Sequence, residues 1–146
     1  MPISGRAPFA AQRRVGLGDT DAAGLIYFAA VFRWSEVLLS DWLCEVGHPL
    51  GSLIDSGVGI PVVRAESRYL APLGLDDRMD LELRTAHVGT SSFSVSMRGT
   101  RTHDQTLAVE TRVWHACLAL DPTAGTTRPT LRKANMPAWL REALDG

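Results

Sequence analysis

A chain of 146 residues, 45% apolar and 21% charged, is about one domain long and apolar enough to bury a core, so residues 1–146 are expected to form a single domain. Lys and Arg (15) nearly balance Asp and Glu (16) at a net charge of -1, and no basic block offers itself to a nucleic acid. Cys44 and Cys117 lack C-x-x-C spacing, no apolar run reaches membrane-spanning length and the opening MPISGRAPFAAQRR lacks a signal peptide's apolar core; the expectation is a cytoplasmic protein without a membrane partner, zinc site or disulfide scaffold.

Phe9 to Leu17 reads as a first strand ending at the Gly18 turn. From Phe28 to Val46 there is no Pro or Gly, and Phe28, Val31, Phe32, Ser35, Leu38, Leu39 and Trp42 recur at helical spacing, which predicts one long, largely buried helix. Gly47, Pro49 and Gly51 break it and predict a loop. Four strands follow: Ile60 to Tyr69, Met79 to Val88, Ser92 to Thr102 and Thr106 to Leu120. The third alternates, with Phe93, Val95 and Met97 on one face and Ser92, Ser94 and Ser96 on the other, as a half-buried antiparallel strand does. The short 102–105 stretch suits a hairpin turn, and Met136-Pro137 opens a terminal helix reaching Asp145. Strand, long helix, four strands and short helix make an α+β arrangement in which one antiparallel sheet wraps one helix.

The stretch GDTDAAGLIYFAAVFRW, residues 18 to 34, sets two carboxylates and a glycine in a turn directly before the long helix. An acid there often caps or braces the turn, and Asp19 is read in that role, through Asx-type hydrogen bonds. The stretch imitates the start of a calcium loop, but position five is Ala23 and position twelve is Ala30, where a bidentate Glu is needed. There is no G-x-S-x-G elbow for a serine nucleophile. His48, His87, His103 and His115 show no i, i+4 pair for a metal, and a histidine within a strand reads as a structural hydrogen bonder.

The spacing of Asp19, Asp21, Gly24 and Tyr27 matches D-x-D-x-x-G-x-x-[YFW], and with GIPVVRAESRYLAPLGLDD, GTSSFSV and LAVETRVWHACLAL the chain resembles, over most of residues 10 to 120, the hotdog-fold thioesterases of the 4-hydroxybenzoyl-CoA thioesterase type. The form DTDAAGLIYFA is most similar to that of the 1,4-dihydroxy-2-naphthoyl-CoA hydrolases. The resemblance implies a hotdog fold, an acyl-CoA substrate, no cofactor or metal, and a homodimer or homotetramer with sheets paired edge to edge and active sites at the interface. By position it puts the catalytic carboxylate on Asp21, the oxyanion donor on the Phe28 amide and the close backbone approach on Gly24. A carboxylate to attack or to activate water, beside unpaired N–H groups at a helix N-terminus, is what thioester hydrolysis needs.

The same resemblance assigns substrate contacts. Tyr27, Phe28 and Phe32 suit a flat aromatic acyl group, and Phe28 stands where many short-chain members carry His. Glu36 falls where an acid on the helix meets a ring hydroxyl, and Gly59, Ile60 and Pro61 match a substrate-lining segment, with Ile60 in place of a hydroxyl residue. Thr90, Ser91 and Ser92 replace a basic position at the coenzyme phosphates, for which Arg128, Arg132 and Lys133 are candidate substitutes. Hotdog hydratases carry His five residues after the catalytic Asp, where this chain has Ile26. The alternatives are an acyl carrier protein as the thioester's carrier, and a non-catalytic module that binds acyl-CoA; the latter has no need of Asp21 and Gly24.

Overall fold

The computed structural model describes residues 8–121 and 130–146. Strand β1 (Phe9–Arg14) is followed by a 3-10 turn at Leu17–Asp19, the long helix α1 (Ala30–Glu45) and a short helix α2 (Leu50–Asp55). Then come β2 (Val58–Gly59), β3 (Val62–Tyr69), β4 (Arg78–Val88), β5 (Ser92–Arg101), β6 (Leu107–Ala116), β7 (Leu118–Asp121), β8 (Thr130–Lys133) and helix α3 (Ala138–Asp145). The main sheet is antiparallel in the order β1-β4-β5-β6-β3, and β2-β7-β8 form a second, three-stranded sheet. No helix among the described residues is long and apolar enough to cross a membrane.

One helix wrapped by a five-stranded antiparallel sheet is the arrangement expected from the sequence. Phe93, Val95 and Met97 of β5, Met79, Leu81 and Leu83 of β4, and Val109 and Val113 of β6 are all buried, and α1 supplies Val31, Trp34, Leu38, Leu39, Trp42 and Leu43 to the same core. The stripe on α1 differs from the expected one. Phe28 lies before the helix and is exposed, Phe32 is half-buried, and Trp34 is fully buried. Ser94 also departs from expectation: it is buried on the sheet's outer face because Arg112 lies over it, with Nε 3.2 Å and one terminal nitrogen 3.0 Å from its hydroxyl. Arg112 and Arg64 in turn both lie over the Trp114 ring.

Three boundaries moved for identifiable reasons. The expected strand from Thr106 to Leu120 is two strands in different sheets: at Cys117 the chain leaves β5 and β3 and pairs instead with β2 and β8. Residues 50–55, expected as loop, form α2, a helix too short for a periodic signal and held by the buried Leu53. The first strand stops at Arg14 because the Val15 amide donates to the Asp77 carbonyl, 2.8 Å away, and the chain enters the 3-10 turn. The terminal helix starts at Ala138 with Pro137 at its cap and buries Leu140 and Leu144.

The turn before α1 is anchored by Asp19, which is 5% exposed. One carboxylate oxygen accepts the Gly16 amide (2.9 Å), and the other accepts the Trp34 indole N–H (3.1 Å) and faces Arg13 at 3.4 Å. Asp19 does brace the loop, as read from the sequence, but it reaches back to Gly16 and across to α1; the Asx turn belongs to Asp21, whose Oδ1 accepts the Ala23 amide at 2.9 Å. Burial by itself raises the Asp19 pKa, but Gly16, Trp34 and Arg13 together outweigh it and hold the carboxyl below its ordinary value. A folded pKa below the unfolded one adds stability above the unfolded value that is lost as pH falls through the folded one. Asp19→Ala is therefore expected to cost about 2–4 kcal/mol at neutral pH by leaving buried donors unpaired. That deficit, measured by urea unfolding, should shrink as pH falls from about 5, past the ordinary carboxylate value and on through the lowered folded one.

Candidate active site

The loop from residue 20 to residue 29 is held on both sides by backbone hydrogen bonds. The Tyr27 amide donates to the Asp19 carbonyl (2.7 Å), the Asp21 amide to the Leu25 carbonyl (2.9 Å) and the Ile26 amide to the Leu73 carbonyl (2.9 Å). Gly24 has φ of +77°, the left-handed conformation that favours glycine, and its carbonyl accepts the Leu75 amide. The Leu73–Asp77 part of the APLGLDD segment is thus the ledge on which this loop rests.

This loop presents two groups suited to acyl transfer. The Asp21 side chain is exposed, and among the described residues only its Oδ1 is engaged. The Phe28 amide has no acceptor among the described residues, whereas its carbonyl accepts the Tyr69 hydroxyl from β3. The Tyr27 and Phe28 rings meet edge-on, with centroids 4.8 Å apart, and Phe28 is 64% exposed. Asp21, Gly24, Tyr27 and Phe28 therefore sit together at the Tyr69 end of β3. Phe32 packs from α1 against the core beside them.

Glu36, Gly59, Ile60 and Pro61 are also together, but elsewhere. They line an apolar groove of about 410 Å³ between α1, α2, β2 and β7, whose other polar side chains are Ser40 and His115. A volume of this size lies in the range of small-molecule sites. The Ser40 hydroxyl is 2.9 Å from the Glu36 carboxylate. Thr90, Ser91 and Ser92 lie at the same end of the sheet: the Cys117 amide donates to the Ser91 carbonyl, and Ala116, the register partner of Ser92, donates to the Pro61 carbonyl. The carbonyls of Thr90 and Ser92 are used by Met136 and Gly89. Arg128 lies outside the described residues, and Arg132 is paired with Asp121 at 2.7 Å.

The two clusters stand at opposite ends of β3, a strand of eight residues and so roughly 23 Å long. β3 is an open edge of the main sheet, with Val62, Val63 and Tyr69 all exposed. Two residues of these clusters escaped the sequence reading as site residues. Tyr69 gave no signal beyond its place in a strand. His115 was read only as structural, although its parity with the buried Val109, Thr111 and Val113 marks it as inward-facing.

Comparison with known proteins identifies the family and the fold. The Thioesterase-like superfamily matches residues 15–144. A 1,4-dihydroxy-2-naphthoyl-CoA hydrolase of Thermosynechococcus vestitus is 31% identical over 133 residues, covering 90% of this chain and 88% of that protein. One of Synechococcus elongatus is 33% identical over 114 residues, covering 77% and 82%. Among solved structures, a 1,4-dihydroxy-2-naphthoyl-CoA thioesterase from Synechocystis superposes with a TM-score of 0.81 at 24% identity, covering 94% of this chain and 96% of that one. The 4-hydroxybenzoyl-CoA thioesterase of Pseudomonas sp. strain CBS-3 gives 0.79 at 22% identity, covering 93% and 98%. At these identities the structural likeness speaks for the hotdog fold alone, while the sequence matches over most of the chain carry the family: this chain belongs to the Thioesterase-like superfamily.

Proposed function

We propose that this protein hydrolyses the CoA thioester of an aromatic acyl group, in a site completed by two copies of the chain acting as single-domain subunits. The observation that carries the reading is the pairing of the exposed Asp21 carboxylate, engaged through Oδ1, with a Phe28 amide ahead of α1 that has no acceptor among the described residues. Asp21 takes a proton from a water that attacks the thioester carbonyl, or attacks it directly to form a mixed anhydride that water then hydrolyses. The Phe28 N–H receives the oxyanion, the C–S bond breaks, and the thiol and the carboxylic acid are released. Gly24 gives the loop its approach to the carbonyl, with Tyr27 and Phe32 as apolar contacts. Glu36, Gly59, Ile60 and Pro61 hold the acyl group, while Thr90, Ser91 and Ser92 face the nucleotide portion.

Within one chain the carboxylate and the groove are a strand's length apart. Antiparallel pairing of β3 with its copy about a two-fold axis lays the Tyr69 end of one strand beside the Val62 end of the other. That pairing covers an exposed edge and its apolar side chains, and brings Asp21 of one subunit toward the groove of its partner. The dimer is thus part of the catalytic reading, and tetramers form by further pairing of dimers. CoA thioesters are preferred as substrates because the relatives are named for them. A cytoplasmic location suits such substrates and the free thiols of Cys44 and Cys117.

Four outcomes are expected. Asp21→Asn should lower kcat by roughly 10²–10⁴-fold, with thioester binding and the melting temperature retained; near-normal turnover would move the chemistry elsewhere. Aromatic acyl-CoA esters should show higher kcat/KM than acetyl- or propionyl-CoA, and higher than the matching acyl carrier protein thioester, in a hydrolysis screen. Light scattering should give at least twice the chain mass. Mixing inactive Asp21→Asn with groove-blocked Ile60→Arg and reassembling the subunits should restore about a quarter of wild-type activity, because half the dimers are mixed and each has one intact composite site. A site confined to one chain predicts no restoration.

A further inference from the structure

The acyl groove contains a nitrogen whose bonding is unfinished. His115 of β6 is 6% exposed, and its ring stacks on Phe93 with centroids 4.8 Å apart and planes within 8°. Nδ1 lies 2.8 Å from the Ile60 carbonyl oxygen. A carbonyl only accepts, so Nδ1 carries the proton. Burial pushes the His115 pKa down, against a smaller upward pull from that carbonyl, so the ring is neutral and Nε2 holds a lone pair. Nε2 has no partner among the described residues, and His115 lines the groove beside Ile60 and Leu118. An acceptor in an apolar groove is costly until something donates to it.

We propose that His115 is a specificity-determining residue of this groove, its Nε2 accepting a hydrogen bond from a hydroxyl on the ring of the bound acyl group. The Glu36 carboxylate, on the α1 side of the same groove, is an acceptor too, so the lining selects rings that carry donors over rings that carry none. A ring without the hydroxyl leaves Nε2 desolvated and unpaired. The histidine is held for this task from both sides: Phe93 fixes the plane of the ring and Ile60 fixes its tautomer. The proposal rests on the thioesterase reading for the identity of the bound group. It does not require Asp21 to be the catalyst.

The test compares 1,4-dihydroxy-2-naphthoyl-CoA with 2-naphthoyl-CoA. His115→Asn keeps a donor toward the Ile60 carbonyl and removes the nitrogen at the Nε2 position, and His115→Gln puts an amide oxygen near it. The ratio of kcat/KM for the two thioesters should fall at least about tenfold in His115→Asn and recover in His115→Gln. An unchanged ratio in His115→Asn, or a wild-type protein with no preference, would overturn the proposal. The same ratio read as binding affinities by calorimetry separates the two readings, because a protein that binds with this preference and does not hydrolyse loses only its proposed activity. In wild-type protein with ¹⁵N-labelled histidine, the Nε2 resonance should move on binding the hydroxylated thioester and stay in place with 2-naphthoyl-CoA. Equal movement with both would refute the hydrogen bond even if neither variant folded.

Discussion

The buried carboxylate of Asp19 is the point at which β1, the 3-10 turn and α1 are tied together. Arg13 from the strand, the Gly16 amide before the turn and the Trp34 indole on the helix all converge on it. Its own carbonyl accepts the Tyr27 amide, so the same residue closes the following loop from its backbone side. A buried anion satisfied by several donors is rigid, because releasing any one of them exposes an uncompensated charge. That rigidity is transmitted to the neighbours of Asp19 that do the presenting: Asp21 two residues on, and the Phe28 amide ahead of α1. The two acids of the motif thus differ in place, Asp19 buried and structural, Asp21 exposed and, in the proposed reaction, the reactive one.

Edge geometry is the second constraint. A sheet that wraps one helix ends in β1 on one side and β3 on the other, and β3 carries exposed apolar residues at both ends. The Asp21 loop is fastened to one end of this strand through Tyr69 and the Leu73–Asp77 ledge, and the apolar groove opens at the other end through Pro61 and Val62. An antiparallel partner inverts the strand, so it unites what the single chain separates. In the proposed dimer, pairing the edge and assembling the site are one event, which would couple stability of the assembly to activity.

The groove shows how few polar groups a selective apolar site requires. Leucine, isoleucine and valine side chains set its shape, and Glu36 and His115 stand out as acceptors. Each is fixed by a neighbour, Glu36 by the Ser40 hydroxyl and His115 by the Ile60 carbonyl and the Phe93 ring. Preorganised acceptors lose little entropy on binding, and a ligand lacking the donor bears the full cost of their desolvation.

Local pattern determined much of this protein. The Gly- and Pro-free run of α1, the alternation of Phe93, Val95 and Met97, and the spacing of Asp19, Asp21, Gly24 and Tyr27 were all legible, because each depends on residues a few positions apart. Gly24 was legible as a turn glycine for the same reason, and the structure adds its left-handed conformation. Tertiary structure alone decided where β6 ends and β7 begins, since strand propensity runs unbroken through Cys117 while the partners change. It decided that Ser94 is buried under Arg112, that α2 exists, and that the named site residues fall into two clusters. Contacts between residues 40 to 100 positions apart leave no periodic trace in either segment, as with Ile60 and His115 or Phe28 and Tyr69, so sequence could name these residues' types and only the packed chain could say what they face.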